Sequence, residues 1–196
     1  MAQTSTTLIS AKSHITSITG TDISLSATSG VYTISATSTV LTGAGKLAVG
    51  DLITVSGSAS NNSTFTVLTV VSTLEITVAE VVTSENADGS STITLDHVGF
   101  VSDKAKGDGY YSQPDGVHTV AYQVANDFNA DATIKMQGTL ATTPTEDDWF
   151  DIANTTFTSD TSTLTSSFNF TGNYVWVRSK TQLLTAGTTN SILLNS

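Results

Sequence analysis

Residues 49–71 read VGDLITVSGSASNNSTFTVLTVV, and this stretch decides the fold class of the chain. Apolar and β-branched residues alternate with Thr and Ser over 51–56 and again over 64–71, which is the two-residue period of a β-strand. The segment 60–63 between them is made of Ser and Asn, which favour turns. The stretch therefore predicts a β-hairpin.

The second strand of this hairpin is expected to pack on both of its faces. Phe65 and Val67 point to one side, and Leu68 and Val70 point to the other. One face can enter a core while the other meets a second layer. Both faces should therefore be at least partly buried.

Short β-branched runs of the same kind recur along the chain, between turns rich in Gly, Ser and Asn. They lie at 22–27, 31–35, 51–56, 64–71, 74–79, 91–95, 117–124, 132–140, 149–153, 167–170, 174–180 and 191–194. No segment has the length and spacing of a helix, and 145–153 can form one helical turn at most. The pattern predicts an all-β protein, with a small N-terminal β-barrel or sandwich followed by a C-terminal antiparallel β-sandwich.

The domain boundary is predicted at 102–116, where Asp, Lys, Gly and Pro interrupt the strand pattern. This segment would link an N-terminal domain, 1–101, to a C-terminal domain, 117–196. Residues 1–19 are evenly rich in Thr and Ser. They are compatible with a core strand and equally with an extended arm that lies on a neighbouring subunit.

Composition excludes several classes of partner. The 196-residue chain has 17 Asp and Glu against 7 Lys and Arg, giving a formal net charge of -10, which argues against nucleic acids and anionic membranes as partners. It contains no cysteine, so neither disulfides nor thiolate metal sites are expected. Residues 1–18 lack a basic start followed by an apolar run, and predict neither a signal peptide nor a membrane anchor.

The residues that commonly carry chemistry are scattered. His14, His97 and His118 do not have the spacing of a zinc site, and the abundant serines include no Gly-x-Ser-x-Gly turn. We therefore expect no catalytic residues, no metal and no cofactor, and interpret the chain as a non-enzymatic protein.

Residues 127–138 begin like a calcium-binding loop but lack two of the residues that such a loop requires. Asp127, Asn129 and Asp131 have the opening alternation of such a loop. Ala132 occupies the position of the glycine needed for the sharp turn, and Gly138 the position of the bidentate glutamate. We interpret the segment as a polar connection between two strands.

Aromatic residues and an arginine define the candidate interaction surface: Trp149, Tyr174, Trp176 and Arg178. On the strand 174–178, Val175 and Val177 point to the side opposite the other three and are predicted to face the core. Acidic residues around Trp149 also permit a glycosidase or sugar-binding cleft, but an acidic loop whose tryptophan anchors the core is the favoured interpretation.

Several motifs in the last eighty residues resemble a β-sandwich module of bacteriophage virions. The motifs are 124–139, Pro144, Asp148-Trp149-Phe150, Phe170-Thr-Gly-Asn-Tyr-Val-Trp-Val-Arg178 and Asn190-Ser-Ile192. The resemblance is closest to small structural proteins of tailed phages that infect marine bacteria and cyanobacteria. The stretch 49–85 is similar to another module that recurs in phage structural proteins.

The resemblance implies a virion structural protein that is assembled in the cytoplasm of a bacterial host. The resemblance does not fix the position in the particle. Capsid decoration is favoured because a small acidic β protein with a possible N-terminal arm suits repetitive attachment to a lattice, and neck, tail or fibre attachment is the alternative. The partners would be other virion proteins, such as the major capsid protein or neck and tail proteins, and further copies of the chain. A carbohydrate-binding adhesive module is the competing interpretation from another class.

Overall fold

The structure is a computed structural model that describes residues 5–111, 116–159 and 164–195. The described residues form seventeen strands and two short 3₁₀ turns, Asp108–Tyr111 and Glu146–Asp148. The strands are β1 (Ser5–Ile9), β2 (Lys12–Ser13), β3 (Ile18–Gly20), β4 (Ile23–Thr28), β5 (Val31–Ala36), β6 (Asp51–Ser56), β7 (Thr64–Ser72), β8 (Glu75–Val78), β9 (Ile93–Val101), β10 (Ala105–Lys106), β11 (Val117–Val124), β12 (Thr133–Thr139), β13 (Phe150–Asp151), β14 (Phe157–Thr158), β15 (Thr165–Thr171), β16 (Trp176–Gln182) and β17 (Thr188–Asn195). The predicted all-β fold is confirmed.

The chain divides into two compact units. The central unit is Ile15–Phe100, and the terminal unit combines the N-terminal segment that ends at His14 with the chain from Val101 onward. The sequence placed all of 1–101 in one domain, whereas the central unit begins only at Ile15. Within the predicted linker 102–116, of which 112–115 lie outside the described residues, β10 pairs with β16 of the terminal unit.

The central unit is built on an antiparallel sheet with strand order β9-β6-β7-β8-β5-β4, and β3 pairs with β9. Leu52 opposite Thr66 gives the register of the β6–β7 hairpin, so the hairpin predicted from 49–71 is confirmed. Alternate apolar residues of these strands form one buried cluster. Its members include Ile23, Leu25, Ile34, Ile53, Val55, Phe65, Val67, Ile76, Val78 and Leu95.

The expectation that β7 is buried on both faces is wrong for its second half. Phe65 and Val67 are buried, but Leu68 and Val70 are 53% and 42% exposed. β6 pairs with β7 only as far as Thr66, and two register shifts then interrupt the β7–β8 pairing. The distal part of β7 therefore extends beyond the paired hairpin, where a bulged pairing leaves these side chains open to solvent.

The N-terminal segment is part of a sheet of its own chain. β1 pairs with β17 in an antiparallel register, and β2 pairs with the same strand. Leu8 and Ile9 are buried. Of the two alternatives for 1–19, the structure has the core strand, over the described residues from Ser5 onward.

The terminal unit contains two antiparallel sheets. The first has the order β1-β17-β11-β15, and the second has the order β13-β12-β16 with β10 on β16 and β14 on β12. Side chains from both sheets are fully buried. They include Val120, Tyr122, Ile192 and Leu194 from the first sheet and Ile134, Met136 and Val177 from the second.

The predicted core position of Val177 is confirmed, because its side chain has no exposed surface. Val175 is only partly buried, since it precedes β16, which begins at Trp176. Val177 lies opposite Gly138 on β12 and Ala105 on β10. Val177 therefore lies on the central strand of the three, β16, between β12 and β10.

Replacing Val177 with aspartate should destabilise the terminal unit by about 3 kcal/mol or more, because a carboxylate would be buried without a partner. Val117→Asp is the matched control, since Val117 is also in a strand but is 52% exposed. Urea unfolding curves measure both variants. Equal midpoints for V177D and the parent would show that this strand face is not core.

Candidate functional site

The outer face of the second sheet of the terminal unit collects most of the positive charge of the chain. On β16, Trp176, Arg178 and Lys180 alternate and so project to one side. On β12, Thr139, Gln137 and Lys135 lie directly opposite them in the same order. Residues that are opposite in an antiparallel pair project to the same side, so the six side chains share one face.

Two flanking segments complete this surface. Lys106 of β10 lies opposite Trp176, and Lys104, Tyr110 and Trp149 contact the same group of side chains. We call the surface the basic face. It comprises Lys104, Lys106, Tyr110, Lys135, Trp149, Trp176, Arg178 and Lys180.

The charge distribution of the chain is strongly uneven. Five of its seven Lys and Arg residues lie in the basic face, and the other two are Lys12 and Lys46. The central unit has seven Asp and Glu residues and only one cation, Lys46. The basic face thus gathers most of the cations of the chain, and Glu146 and Asp151 offset two of them, Arg178 and Lys135.

Arg178 is the best-fixed residue of the basic face. Its Nη1 and Nη2 atoms donate to the two carboxylate oxygens of Glu146 at 2.8 and 2.7 Å, and its Nε donates to Oε1 of Gln137 at 3.0 Å. The guanidinium lies 4.2 Å from the ring centroid of Trp149. The two-oxygen geometry with Glu146 and the stacking hold Arg178 in place although it is only 5% exposed.

The segment that supplies Glu146 and Trp149 is a single 3₁₀ turn, as the sequence allowed for 145–153. Asp148 Oδ2 accepts hydrogen bonds from the backbone nitrogen and the hydroxyl of Thr145, at 2.7 and 2.8 Å. These bonds close the turn and lower the pKa of Asp148. The turn thereby places Glu146 and Trp149 above β16.

Trp176 is held by a hydrogen bond and is surrounded by cations. Its indole nitrogen donates to the carbonyl oxygen of Thr142 at 3.0 Å, and the Tyr110 ring is tilted against it at 5.0 Å. The Lys104 ammonium lies 4.6 Å from the Trp176 centroid, and the Lys106 ammonium lies 4.2 Å from the Tyr110 centroid. Cation–π attraction therefore positions both lysines.

Lys135 and Lys180 face each other across the strand pair, although like charges in this position repel. Lys135 pairs with Asp151, whereas Lys180 makes no ion pair with the described residues. Burial lowers the pKa of Lys180, and the positive charges of Arg178 and Lys135 lower it further. An incoming carboxylate would relieve this repulsion.

The structure brings three of the four predicted surface residues together, and Tyr174 lies apart from them. Its ring packs beside His118 and Phe170, with centroid distances of 6.4 and 6.3 Å. A Cβ atom at Gly138 or Gly172 would lie within 2.6 Å of this ring, so the ring needs glycine at both positions. Tyr174 therefore contributes mainly to packing.

Sequence reasoning missed the lysines of the basic face and Tyr110. The alternation of Trp176, Arg178 and Lys180 on one strand is a signal that could have added Lys180. Lys135 joins through the register of β12 against β16, which the sequence does not display. Lys104 and Lys106 were assigned to a linker.

The histidines lie in separate environments. His97 Nε2 is 3.4 Å from Asp51 Oδ1, and its Nδ1 accepts a hydrogen bond from the backbone nitrogen of Ile15. His118 is fully buried against Phe170, and burial lowers its pKa. The third, His14, donates its backbone nitrogen to a carbonyl oxygen of the β16–β17 connection.

Residues 127–132, which precede β12, form the predicted polar connection, and it is built around Asn129. Its side-chain nitrogen donates to the carbonyl oxygen of Leu183, and its side-chain oxygen accepts from the backbone nitrogen of Thr185, both at 3.0 Å. Across the described residues, no three His, Cys, Asp or Glu side chains are grouped so that they could hold a metal ion. A membrane-spanning helix is likewise absent from the described ranges.

No protein-family model matches the chain, and no curated protein matches it in sequence.

Replacing Glu146 with glutamine should destabilise the protein by about 1–3 kcal/mol, because Arg178 would lose its charged partner while it remains buried. Asp147→Asn is the matched control, since the exposed neighbour makes no contact with Arg178 in the structure. Thermal melts compare the two. If E146Q and D147N melt together at the temperature of the parent, the ion pair does not organise this face.

Proposed function

We propose that the chain is a non-enzymatic structural protein of a bacteriophage particle, and that it attaches to the particle through the basic face. The observation that carries the proposal is that five of the seven cations of an acidic chain, with three aromatic rings, are collected in the basic face. The resemblance of 124–192 to virion β-sandwich modules supplies the phage context. Capsid decoration is the favoured role, with neck, tail or fibre attachment as the alternative.

The chemistry of the basic face suits contact with another protein. Trp, Tyr and Arg are the residues that most often dominate the binding energy of protein interfaces. Here a hydrogen bond holds Trp176, and the buried Arg178 stacks on Trp149, so binding through the two tryptophans would cost little side-chain entropy. The positive charges favour a partner surface that carries carboxylates.

The aromatic rings are less suited to stacking on a sugar. Arg178 covers one face of Trp149, Lys104 lies over Trp176, and Lys106 lies over Tyr110. A sugar ring would have to displace these cations or use the opposite faces. This geometry favours a protein contact over the carbohydrate-binding alternative.

The carboxylates near Trp149 support a non-enzymatic role. Glu146 is bound by Arg178, Asp148 by Thr145, and Asp151 by Lys135. A glycosidase needs one carboxyl group with a raised pKa and a second facing it across the substrate. Here hydrogen bonds with the backbone and hydroxyl of Thr145 lower the pKa of Asp148 instead.

Attachment to a repetitive particle fits a small protein of this kind. A lattice offers the same site many times, and several weak contacts made together give strong overall binding. The particle partner would be the major capsid protein in a decoration role, or a neck or tail protein in the alternative.

Removing Lys104 and Lys106 together, as Lys104→Thr with Lys106→Thr, should weaken attachment to the particle at least about tenfold, because two interface cations are lost. The matched control is Lys12→Thr with Lys46→Thr, which has the same change of charge outside the basic face. Cosedimentation with purified particles of the source phage, stripped of the native protein, measures both.

Two results would contradict the proposal. One is equal weakening by the two double variants, which would mean that net charge alone governs attachment. The other is the absence of the chain from purified particles, which would remove the virion role itself.

A further inference from the structure

The terminal unit has a second surface of interest, the open edge of its first sheet. Unlike the basic face, this edge carries no charged residue. β15 is the end strand of that sheet and pairs with β11 from Val117↔Thr171 to Gln123↔Thr165. The register is continuous over seven residues, without a bulge. Among the described residues, no strand pairs with the other side of β15.

Other sheet ends in the structure are short, irregular or covered. β1 has a register shift between Thr7 and Ile9, and β13 has only two residues. β4 is covered by the segment around Glu85, whose backbone exchanges hydrogen bonds of 2.9 and 2.8 Å with Leu25. These features prevent unwanted strand pairing.

β15 has none of these features. Its sequence is Thr-Ser-Ser-Phe-Asn-Phe-Thr, without a charged residue and without proline. A long, regular and uncharged edge strand is a template for pairing with another strand. In a chain where the other sheet ends are protected, the open edge indicates a binding surface.

The direction of the backbone groups on β15 can be read from its neighbours. The backbone nitrogen of Val124 donates to the carbonyl of Leu164, and that of Gly172 donates to the carbonyl of Gly116. Even-numbered residues of this strand therefore bond to β11, because the pattern alternates in an antiparallel pair. Ser167 and Asn169 consequently direct their N–H and C=O groups outward.

We propose that β15 pairs with β15 of a second copy of this chain, antiparallel and about a two-fold axis near Phe168. The sheets of two terminal units would then be continuous. Charge permits this occupant but does not select it: two chains that each carry a net charge of -10 repel, and β15 brings no charged residue into the contact. The side chains of β15 itself favour a second copy.

The side chains of β15 are compatible with pairing to themselves. In a register centred on Phe168, Ser167 lies opposite Asn169 of the partner subunit, and Thr165 lies opposite its Thr171. Polar pairs of this kind stabilise antiparallel sheets. Phe168, whose ring is 5.6 Å from that of Tyr122 and only partly buried, would meet its own counterpart and lose further exposed surface.

The contact would be isologous, so it closes at a dimer. This inference uses no residue of the basic face and does not rest on the proposed attachment to a virion. The dimer is measured with the purified protein alone. A negative result for the dimer would therefore not contradict attachment to the particle, and a negative result for attachment would not contradict the dimer.

The test is Ser167→Lys, with Thr7→Lys as the matched control. Both residues are exposed and lie in end strands of the same sheet, and both substitutions add one lysine. Sedimentation equilibrium should give a dimer for the parent and for T7K, and a dissociation constant at least about tenfold higher for S167K, because an inserted lysine protects an edge from pairing.

Amide hydrogen exchange of the unmodified protein provides a second measurement, which stands even if a variant folds poorly. The outward amides of Ser167 and Asn169 should exchange more slowly as protein concentration rises. A parent chain that stays monomeric, a dimer weakened equally by both variants, or fast exchange of these amides at every concentration would each overturn the proposal.

Discussion

Burial of the Arg178 guanidinium is the constraint on which the arrangement of the basic face depends. A charged group that is 5% exposed needs hydrogen-bond acceptors around it, and Glu146 and Gln137 supply three. Glu146 brings with it the 3₁₀ turn that carries Trp149, and Gln137 is fixed by the β12–β16 register. One side chain thus ties a loop to two strands and sets the positions of the neighbouring aromatic and basic groups.

The surfaces of the terminal unit differ in the forces that they offer to a partner. The basic face offers positive charge held in place by aromatic rings, whereas the β15 edge offers uncharged backbone groups. Electrostatic attraction acts over a distance of about 8–10 Å at physiological salt, while strand pairing requires direct contact. The two surfaces therefore suit partners of different chemistry.

Much of the fold follows from local sequence, because strand alternation and turn residues act within a few positions. The β6–β7 hairpin and the burial of Val177 belong to this class. Long-range pairing is not readable in the same way. The sequence does not show that Lys135 lies opposite Lys180, that Gly138 and Gly172 accommodate Tyr174, or that residues before Ile15 join the terminal unit. The lysines of the site were missed because strand register, and not sequence proximity, assembles them.

Hydrogen exchange of the chain, free and attached to the particle, tests the central claim most directly. If the chain attaches through the basic face, the amides of 104–110 and 176–182 should exchange more slowly on attachment. The amides in the exposed end of β7, at 68–72, should change little. Slower exchange confined to the central unit, with 104–110 and 176–182 unchanged, would contradict the account.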